Sequence, residues 1–358
     1  MLMPGEPAPW FRGAVLQNNP NFEFDLMAGR YVVLLFAGSM GDPAAAAARM
    51  VLAAHRALLD DEKAMFFGIT RDPADVAEGR ITSMPPGIRW FLDFNGTISR
   101  GYAALDVNGA GRDFWLLLDP MLRIVACEPL DRAGQIFARL AQLIGPPRDE
   151  GLAPVLMVPG IFEPDFCRQI IDLYESHGGE PSGFMQQIGG KTVGTLNGQI
   201  KRRSDHWIED AAFKEQIAQK LGRRLVPMIG RFLGFAVTRI ERYVIACYGG
   251  EDGGYFRAHR DNTTSGTVHR RFACTINLNA EDYEGGDLVF PEFGTRRYRA
   301  PTGGACVFSC SMLHEATSVT RGKRYAFLPF FYDEAGAQQR EAIARTGNVS
   351  ADLAAYRA

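Results

Sequence analysis

The stretch Glu241–Asp261, ERYVIACYGGEDGGYFRAHRD, combines a strand, a glycine-rich turn and a second strand that ends in His259-Arg260-Asp261. Because side chains alternate between the two faces of a strand, His259 and Asp261 are predicted to share one face while Arg260 points the other way. An imidazole and a carboxylate side by side can bind a divalent metal ion. Two ligands leave such a site incomplete, so a third ligand is expected elsewhere in the chain.

The chain beyond Asp261 is rich in strand-forming residues. Short strand-like runs alternate with Gly, Pro and Asn turns at 271–279, 286–290, 296–300 and 305–309, which is typical of an antiparallel double-sheet jelly roll. His314 follows the last of these runs and precedes the strand-like YAFLPFFYD. His259, Asp261 and His314 together form the two-histidine, one-carboxylate set that binds non-haem Fe(II) and leaves coordination positions open.

Arg324 follows His314 by ten residues and is predicted to lie on the next strand, pointing back into the barrel. Its planar guanidinium suits bidentate binding of a carboxylate. Iron ligands beside a buried arginine are what 2-oxoglutarate requires, because the keto acid chelates the metal and its far carboxylate needs a cation. A zinc or cupin-like site is the alternative, since the same three ligands suit Zn²⁺. Arg324 argues against a hydrolytic zinc site.

Residues 152–333 resemble the prolyl-4-hydroxylase branch of the Fe(II)/2-oxoglutarate-dependent dioxygenases, and within it the hypoxia-inducible-factor-type prolyl hydroxylases. The resemblance rests on ERYVIACYGGEDGGYFRAHRDN, YEGGDLVFPEFG, HEATSVTRGKRYAFLPFFYD and, at 200–210, IKRRSDHWIED. It implies that His259, Asp261 and His314 bind iron and that Arg324 pairs with the 2-oxoglutarate carboxylate. Ascorbate is a further cofactor that the resemblance implies.

The same resemblance implies that Tyr248 hydrogen-bonds 2-oxoglutarate and that residues 178–202 form a mobile lid. Where the relatives have a second tyrosine that contacts the co-substrate, this chain has Asn277, so its affinity for 2-oxoglutarate is expected to differ. A strand tyrosine can equally be a packed core residue. The glycine-rich, loop-like run 178–205 can equally be a surface excursion.

The N-terminal third alternates strands and helices. Strands are predicted at 30–37 and 64–69, a hairpin at 113–118 and 123–127, and helices at 43–59 and 132–143. This order resembles the thioredoxin fold, and more narrowly the peroxiredoxins, in GRYVVLLFAG, FFGITRDPADV, WFLDFNGTISRGYAAL and FWLLLDPMLRIVA. Peroxiredoxins carry a nucleophilic cysteine where the first helix begins, but the equivalent run SMGDPAAAAARM has none. We expect a module for docking, dimerisation or stability, without thiol peroxidase chemistry.

The 358-residue chain is long enough for two domains. We predict an α+β protein with a thioredoxin-like α/β sandwich at 1–147, a double-stranded β-helix (jelly roll) with supporting helices at 152–334 and a helical tail at 335–358, joined by a linker at 145–151. A formal net charge of −2 gives no reason to expect nucleic acid or a membrane as partner. No secretory signal or bilayer-length apolar run is evident, so a cytoplasmic protein is expected.

The leading prediction is an enzyme that uses Fe(II), 2-oxoglutarate and O2 to hydroxylate an unactivated C–H bond, releasing succinate and CO2. The resemblance implies a prolyl residue of a peptide or protein as the default substrate, while free amino acids and small metabolites stay open. A non-catalytic sensor or scaffold that works through the N-terminal module is the alternative from another class. The intact set of metal ligands argues against it.

Overall fold

The computed structural model describes residues 2–17, 19–145 and 151–346. Most of the predicted linker and the end of the predicted tail, 347–358, lie outside the described residues. The chain forms two compact units, one comprising Met1–Gly151 with Pro291–Gly294 and the other Leu152–Phe290 with Thr295–Ala358. Both units mix helices with sheet, as the α+β prediction requires.

The N-terminal unit contains strands of two to seven residues and four α-helices. Its strands are β1 (Arg12–Gly13), β2 (Phe22–Glu23), β3 (Tyr31–Ala37), β4 (Ala64–Thr70), β5 (Ile88–Leu92), β6 (Phe114–Leu118) and β7 (Ile124–Pro129). Its helices are α1 (Pro43–Ala54), α2 (Ala74–Ala77), α3 (Thr97–Gly101) and α4 (Ala133–Ile144).

A five-stranded sheet of order β5-β4-β3-β6-β7 forms the centre of this unit. Every residue of β3, β4 and β6 is buried, as expected of apolar strands covered on both faces. The strands and helices predicted here are confirmed, although α1 ends at Ala54 and gives way to a 3₁₀ turn. The prediction missed β5, because Arg89 interrupts its apolar run; in the structure this guanidinium pairs with Asp61 at 2.7 Å.

The N-terminus of α1 carries no thiol chemistry. Asp42 caps this helix by accepting a hydrogen bond from the Ala44 N–H at 2.8 Å. Cys127 lies on β7 instead, where burial raises the pKa of its thiol.

The C-terminal unit contains many short strands and four further helices. Its strands are β8 (Leu156–Val158), β9 (Glu180–Pro181), β10 (Phe184–Ile188), β11 (Lys191–Thr195), β12 (Lys201–Arg202), β13 (Ser204–Trp207), β14 (Arg239–Glu241), β15 (Val244–Gly249), β16 (Tyr255–His259), β17 (Phe272–Asn277), β18 (Glu284–Gly285), β19 (Leu288–Val289), β20 (Arg297–Tyr298), β21 (Ala305–Ser309), β22 (His314–Ala316), β23 (Val319–Arg321), β24 (Lys323–Phe327) and β25 (Phe330–Tyr332). Its helices are α5 (Pro164–His177), α6 (Ala211–Arg224), α7 (Val226–Leu233) and α8 (Glu334–Arg345).

Two antiparallel sheets form the centre of this unit. The larger sheet has the order β14-β25-β17-β24-β15-β13-β9, with β21 joined to β17 and β8 to β21; the smaller has the order β12-β16-β22-β19-β20. Alternation along β15 turns Ile245 and Cys247 toward a core that includes residues of α5, α6 and α7. It turns Ala246 and Tyr248 toward a second cluster, which also contains Phe256 of the smaller sheet. The inner faces of the two sheets meet in this second cluster.

Residues 178–205 are not loop-like, contrary to the prediction. They form the hairpin β10–β11 and three short strands, β9, β12 and β13. Gly189 and Gly190, at φ 56° and 80°, make the tight hairpin turn, so glycines taken as signs of a loop mark turn positions.

Prolines divide two elements of this unit. The apolar spacing of residues 213–233 predicts a helix that Pro227 should kink or split, and the structure has α6 and α7 there, with Pro227 in the first turn of α7. The strand YAFLPFFYD divides around Pro329 into β24 and β25. Among residues 2–17, 19–145 and 151–346, no helix combines the length and hydropathy that a bilayer span requires.

Candidate metal centre and its surroundings

His259 and His314 are cross-strand neighbours in the smaller sheet. His259 ends β16 and His314 begins β22, and the two residues lie opposite each other in the antiparallel register. Their ring centroids are 4.2 Å apart. Residues 55 positions apart in the chain are thus brought together by strand pairing within one sheet.

Asp261 lies two residues beyond the end of β16, rather than within the strand as predicted. Its N–H donates to the Cys310 carbonyl at 2.9 Å, which fixes the backbone at this point. The carboxylate Oδ1 lies 3.6 Å from Nε2 of His259, and Oδ2 lies 3.4 Å from Nε2 of His314. One ligand atom from each residue lies within 4.8 Å of the other two, so one metal ion could contact all three.

Backbone carbonyls fix the tautomer of both imidazoles. Nδ1 of His259 lies 2.7 Å from the Arg257 oxygen, and Nδ1 of His314 lies 3.1 Å from the Met312 oxygen. A carbonyl can only accept, so both Nδ1 atoms carry the proton. Both Nε2 lone pairs are therefore available to a metal, and the rings are held in orientation by hydrogen bonds behind the site.

The charge state of the three side chains also suits a divalent metal. Burial lowers the pKa of His314 to about 4, and the adjacent His259 acts in the same direction. Burial alone would raise the pKa of Asp261, but the neighbouring His314 and His259 outweigh it and hold this pKa well below its usual range. The site accordingly offers one carboxylate and an unprotonated His314 imidazole at neutral pH.

Aromatic rings surround the two histidines. The ring of Phe256 stacks on His259 with centroids 3.5 Å apart, and that of Phe308 lies 4.6 Å from His314. These apolar walls limit the freedom of both imidazoles and keep water from that side of the centre.

Arg324 reaches the interior from the larger sheet. It lies on β24, separated from β22 by the intervening strand β23, so the prediction that it lies on the next strand was wrong. It pairs in register with Tyr248 of β15, and its Cζ lies 4.9 Å from that ring's centroid. Arg324 is 2% exposed, and its Nε and Nη1 have no hydrogen-bond partner among the described residues. A buried guanidinium with unsatisfied donors indicates a missing anion.

Tyr283, which the sequence analysis missed, lies beside Arg324. Both side chains closely approach the Cα of Gly286, where a Cβ would meet Arg324 at 3.0 Å and Tyr283 at 3.4 Å. The Tyr283 hydroxyl is buried without a partner in the described part of the chain. Burial raises its pKa against the effect of Arg324, so it stays a hydrogen-bond donor. The sequence feature that could have identified Tyr283 is its position just before the glycine turn in YEGGD.

Asn277 differs from Tyr283 in the hydrogen-bonding group that it presents. It pairs with Ala326 of β24, which places it on the same strand face as Arg324. Its Nδ2 donates to the Ala300 carbonyl at 2.7 Å, so the side chain presents Oδ1, an acceptor that has no partner among the described residues. An acceptor cannot bond a carboxylate. Tyr283 supplies the hydroxyl donor that Asn277 lacks.

Tyr248 lies between two guanidiniums. Its hydroxyl accepts a hydrogen bond from Nη1 of Arg203 at 3.3 Å, and the Arg324 guanidinium lies over its ring. The structure thus brings Tyr248 to the site, and a contact with 2-oxoglutarate stays a prediction.

The hairpin β10–β11 docks on the segment that follows Asp261. Oε1 of Gln187 accepts from the Ser265 N–H at 2.9 Å, and Oγ1 of Thr192 accepts from the Gly266 N–H at 2.8 Å. The predicted lid is therefore an ordered hairpin tied to the loop beyond a candidate ligand. Its mobility stays a prediction.

Comparison with known proteins gives an independent view of this unit. Residues 243–332, which include all three candidate ligands and Arg324, match the model of the 2OG-Fe(II) oxygenase superfamily. A PKHD-type hydroxylase of Delftia acidovorans is 30% identical over 184 residues, which cover 48% of this chain and 75% of the relative.

Solved structures resemble each part of the chain. A prolyl hydroxylase from Trichoplax adhaerens, in complex with a hypoxia-inducible-factor oxygen degradation domain peptide, is 19% identical with a TM-score of 0.40, over 54% of this chain and 87% of that one. The bacterioferritin comigratory protein of Xanthomonas campestris is 14% identical with a TM-score of 0.31, over 40% of this chain and 99% of that one.

Proposed function

Because the chain belongs to the 2OG-Fe(II) oxygenase superfamily, we propose that it is an Fe(II)- and 2-oxoglutarate-dependent dioxygenase that hydroxylates an unactivated C–H bond. The observation that carries this proposal is the pairing of two features on facing sheets. The smaller sheet presents His259 and His314 beside Asp261, and the larger sheet presents the unsatisfied guanidinium of Arg324.

The donor set fits Fe(II). Two imidazoles and one carboxylate clustered on one side of a centre leave positions for a chelating ligand and O2. In this proposal His259, Asp261 and His314 hold the metal, while Phe256 and Phe308 shield it from water.

The surroundings of Arg324 fit 2-oxoglutarate. Its unsatisfied guanidinium donors can bind a carboxylate, and the Tyr283 hydroxyl can add a further hydrogen bond. Tyr248 and Asn277 complete the polar surroundings, with Asn277 in a lesser role. When bound, the metal and 2-oxoglutarate together activate O2, and the co-substrate becomes succinate and CO2. Arg324 and Tyr283 serve to orient the co-substrate, and ascorbate would keep the metal reduced.

The proposed substrate is a prolyl residue of a peptide or protein. This rests on the sequence resemblance of residues 152–333 to prolyl hydroxylases, because fold alone does not determine substrate. A free amino acid or a small metabolite is the alternative. We further propose that residues 152–334 form a jelly-roll catalytic domain and that residues 1–147 form a thioredoxin-like module for docking, dimerisation or stability.

The direct test is spectroscopic. Anaerobic addition of Fe(II) and 2-oxoglutarate should produce the weak visible charge-transfer band of the chelate, and air should then release succinate when a proline-peptide pool is present. Absence of the band would contradict the proposed function. A band without succinate for any pool would favour the non-catalytic sensor.

Changes at Arg324 and Tyr283 should act on co-substrate affinity to different degrees. Arg324→Gln removes a buried charge pair with the carboxylate, which typically costs about 2–5 kcal/mol, so KM for 2-oxoglutarate should rise roughly 30-fold or more. Tyr283→Phe removes one hydrogen bond of about 1 kcal/mol, for a rise of roughly fivefold. The measurement is succinate release against 2-oxoglutarate concentration.

Tyr325→Phe is the matched control for Tyr283→Phe. The Tyr325 hydroxyl bonds Glu175 of α5, and the side chain belongs to the helix-side core. This variant should leave KM for 2-oxoglutarate unchanged. An unchanged KM in Tyr283→Phe as well would remove Tyr283 from the co-substrate site.

A further inference from the structure

Four charged side chains, Lys201, Arg203, Asp205 and Arg242, form a buried group that we call the cationic cluster. Asp205 Oδ2 lies 2.6 Å from Nη2 of Arg203 and 3.5 Å from Nη2 of Arg242. The Ser182 hydroxyl links Lys201 to this pair, because it accepts from Lys201 Nζ at 2.7 Å and donates to Asp205 Oδ2 at 2.5 Å. Three basic groups thus share a single carboxylate.

This arrangement leaves polar atoms without partners. The side chains of Arg203 and Arg242 are 4% and 13% exposed. The Nε of each guanidinium, and Oδ1 of Asp205, have no hydrogen-bond partner among the described residues. Burying a donor without an acceptor is costly, and burying like charges together adds to that cost. Burial and the neighbouring Arg203 both lower the pKa of Arg242.

The backbone at Arg242 adds a second cost. Arg242 has a φ of 71°, in the left-handed region that a long side chain rarely adopts. Such conformations cost free energy and often occur at functional sites, although Gln17, Asp61, Ala103 and Leu122 also have positive φ. The fold therefore holds an arginine in an unfavourable conformation to keep it in an already positive group.

The cationic cluster borders the candidate metal centre. Lys201 of β12 pairs in register with Phe256 of β16, and its Nζ lies 4.8 Å from the Phe256 ring centroid. The same ring stacks on His259. Arg203 also bonds Tyr248, which pairs with Arg324. One aromatic ring therefore contacts both a candidate metal ligand and the edge of the cluster.

Metal and co-substrate do not neutralise this charge. In the proposed function, a metal dication, Asp261, a 2-oxoglutarate dianion and Arg324 together carry no net charge. The nearby Glu241–Arg270 pair is also balanced. The two guanidiniums of Arg203 and Arg242 still share the single carboxylate of Asp205 after both ligands are bound, so a further anion would balance the cluster.

We propose that the cationic cluster binds a carboxylate of the substrate, so that the enzyme selects molecules that carry a carboxylate near the target carbon. This inference rests on the proposed function and specifies its substrate class. The lone donors of Arg203 and Arg242 supply charge-assisted hydrogen bonds, and the carboxylate replaces the neutral Ser182 as partner of Lys201. The carboxylate comes either from an acidic residue beside the target proline or from the α-carboxylate of a free amino acid.

Two pairs of probes distinguish these sources. The first pair is acetyl-Glu-Pro-amide and acetyl-Gln-Pro-amide; the second is L-proline and L-prolinamide. Each is titrated anaerobically into the enzyme loaded with Fe(II) and 2-oxoglutarate, and the shift of the chelate band is followed. We expect at least one acid to bind roughly tenfold or more tightly than its amide, since a charge-assisted bond is about twice as strong as a neutral one. The pair that responds identifies the source.

Arg242→Asn tests the cluster itself. This variant should weaken binding of the preferred acid roughly tenfold and abolish its advantage over the amide. It should also raise the thermal midpoint of the metal-free protein, because asparagine tolerates positive φ and one of the like charges is removed. A purely structural arginine would instead lower that midpoint. Arg223→Gln, at an exposed arginine of α6, is the matched control and should change neither quantity.

The possible failures are distinguishable. Loss of the chelate band in the wild-type enzyme contradicts the proposed function. Three results with an intact band would overturn the substrate inference alone. These are that no probe binds, that no acid is preferred over its amide, or that Arg242→Asn retains the preference for the acid.

Discussion

Replacing Asp261 with alanine is expected to abolish both the 2-oxoglutarate–iron chelate band and succinate release. Asp261 supplies the carboxylate of the candidate metal set, and its two oxygens face one histidine each at 3.6 and 3.4 Å. Without it, two imidazoles must bind a hard dication unaided. The loss should exceed the roughly 10–100-fold that removal of an outer-shell partner causes. Iron content after gel filtration and the anaerobic spectrum measure the effect.

Asp252→Ala provides the comparison for this variant. Asp252 is an exposed acid in the turn between β15 and β16, within the same stretch of sequence. It should bind iron and release succinate as the wild-type enzyme does. Retention of the chelate band in Asp261→Ala would exclude Asp261 as a ligand and, with it, the proposed centre.

The clustering of the candidate metal ligands could be predicted from sequence because strand geometry brings them together. Alternation within β16 and the strand order after it were enough to select His259 and His314. The exact end of β16 was not predictable, because a hydrogen bond to Cys310, remote in sequence, places Asp261. Tyr283 was missed for a similar reason. Its side chain is recognised as part of the site only because it lies close to Arg324 at Gly286, a contact that the sequence does not show.

The elements that were predicted wrongly or missed also depend on contacts between residues distant in sequence. Glycine at 189 and 190 suggested a loop, whereas hydrogen bonds from Ser265 and Gly266 dock the hairpin that these glycines turn. In the N-terminal unit, β3 and β4 were evident from continuous apolar runs, but β5 was hidden by Arg89, whose charge is neutralised by Asp61. Continuous apolar runs were enough to predict the strands that are buried on both faces. The remaining elements depend on contacts with residues that are distant in sequence, which a local pattern does not reveal.

Buried ion pairs were beyond the reach of the sequence, and Glu241 is the main example. It is 5% exposed and lies between two basic residues of one loop. Its Oε2 accepts from Nε2 of His269 at 2.8 Å, and its Oε1 accepts from Nη2 of Arg270 at 2.7 Å. The Arg270 guanidinium also lies 4.1 Å from the ring centroid of Phe330. This group supports the loop that follows the metal centre.

Glu241→Gln should lower the free energy of unfolding by about 3–5 kcal/mol, because it leaves the buried charge of Arg270 without its counter-ion. Urea unfolding at pH 7.5 measures the change. Glu284→Gln, at an exposed acid that pairs with Arg321, is the matched control and should leave the urea midpoint nearly unchanged. An equally small effect in Glu241→Gln would mean that the buried pair contributes no net stability.

The pH dependence of stability should identify the same group. Burial opposes ionisation of Glu241, but Arg270 and His269 outweigh it and hold its pKa far below the usual value. Its contribution is complete above the unfolded pKa of about 4.3 and is lost as the pH falls toward the folded pKa. Burial lowers the pKa of His269 despite Glu241, so the unfolded chain binds that proton first and stability already declines below about pH 6.5. The wild-type protein should lose stability in two stages on acidification. In Glu241→Gln the second stage should be smaller, since the amide does not titrate and only the other carboxylates with lowered pKa, such as Asp261, contribute to it.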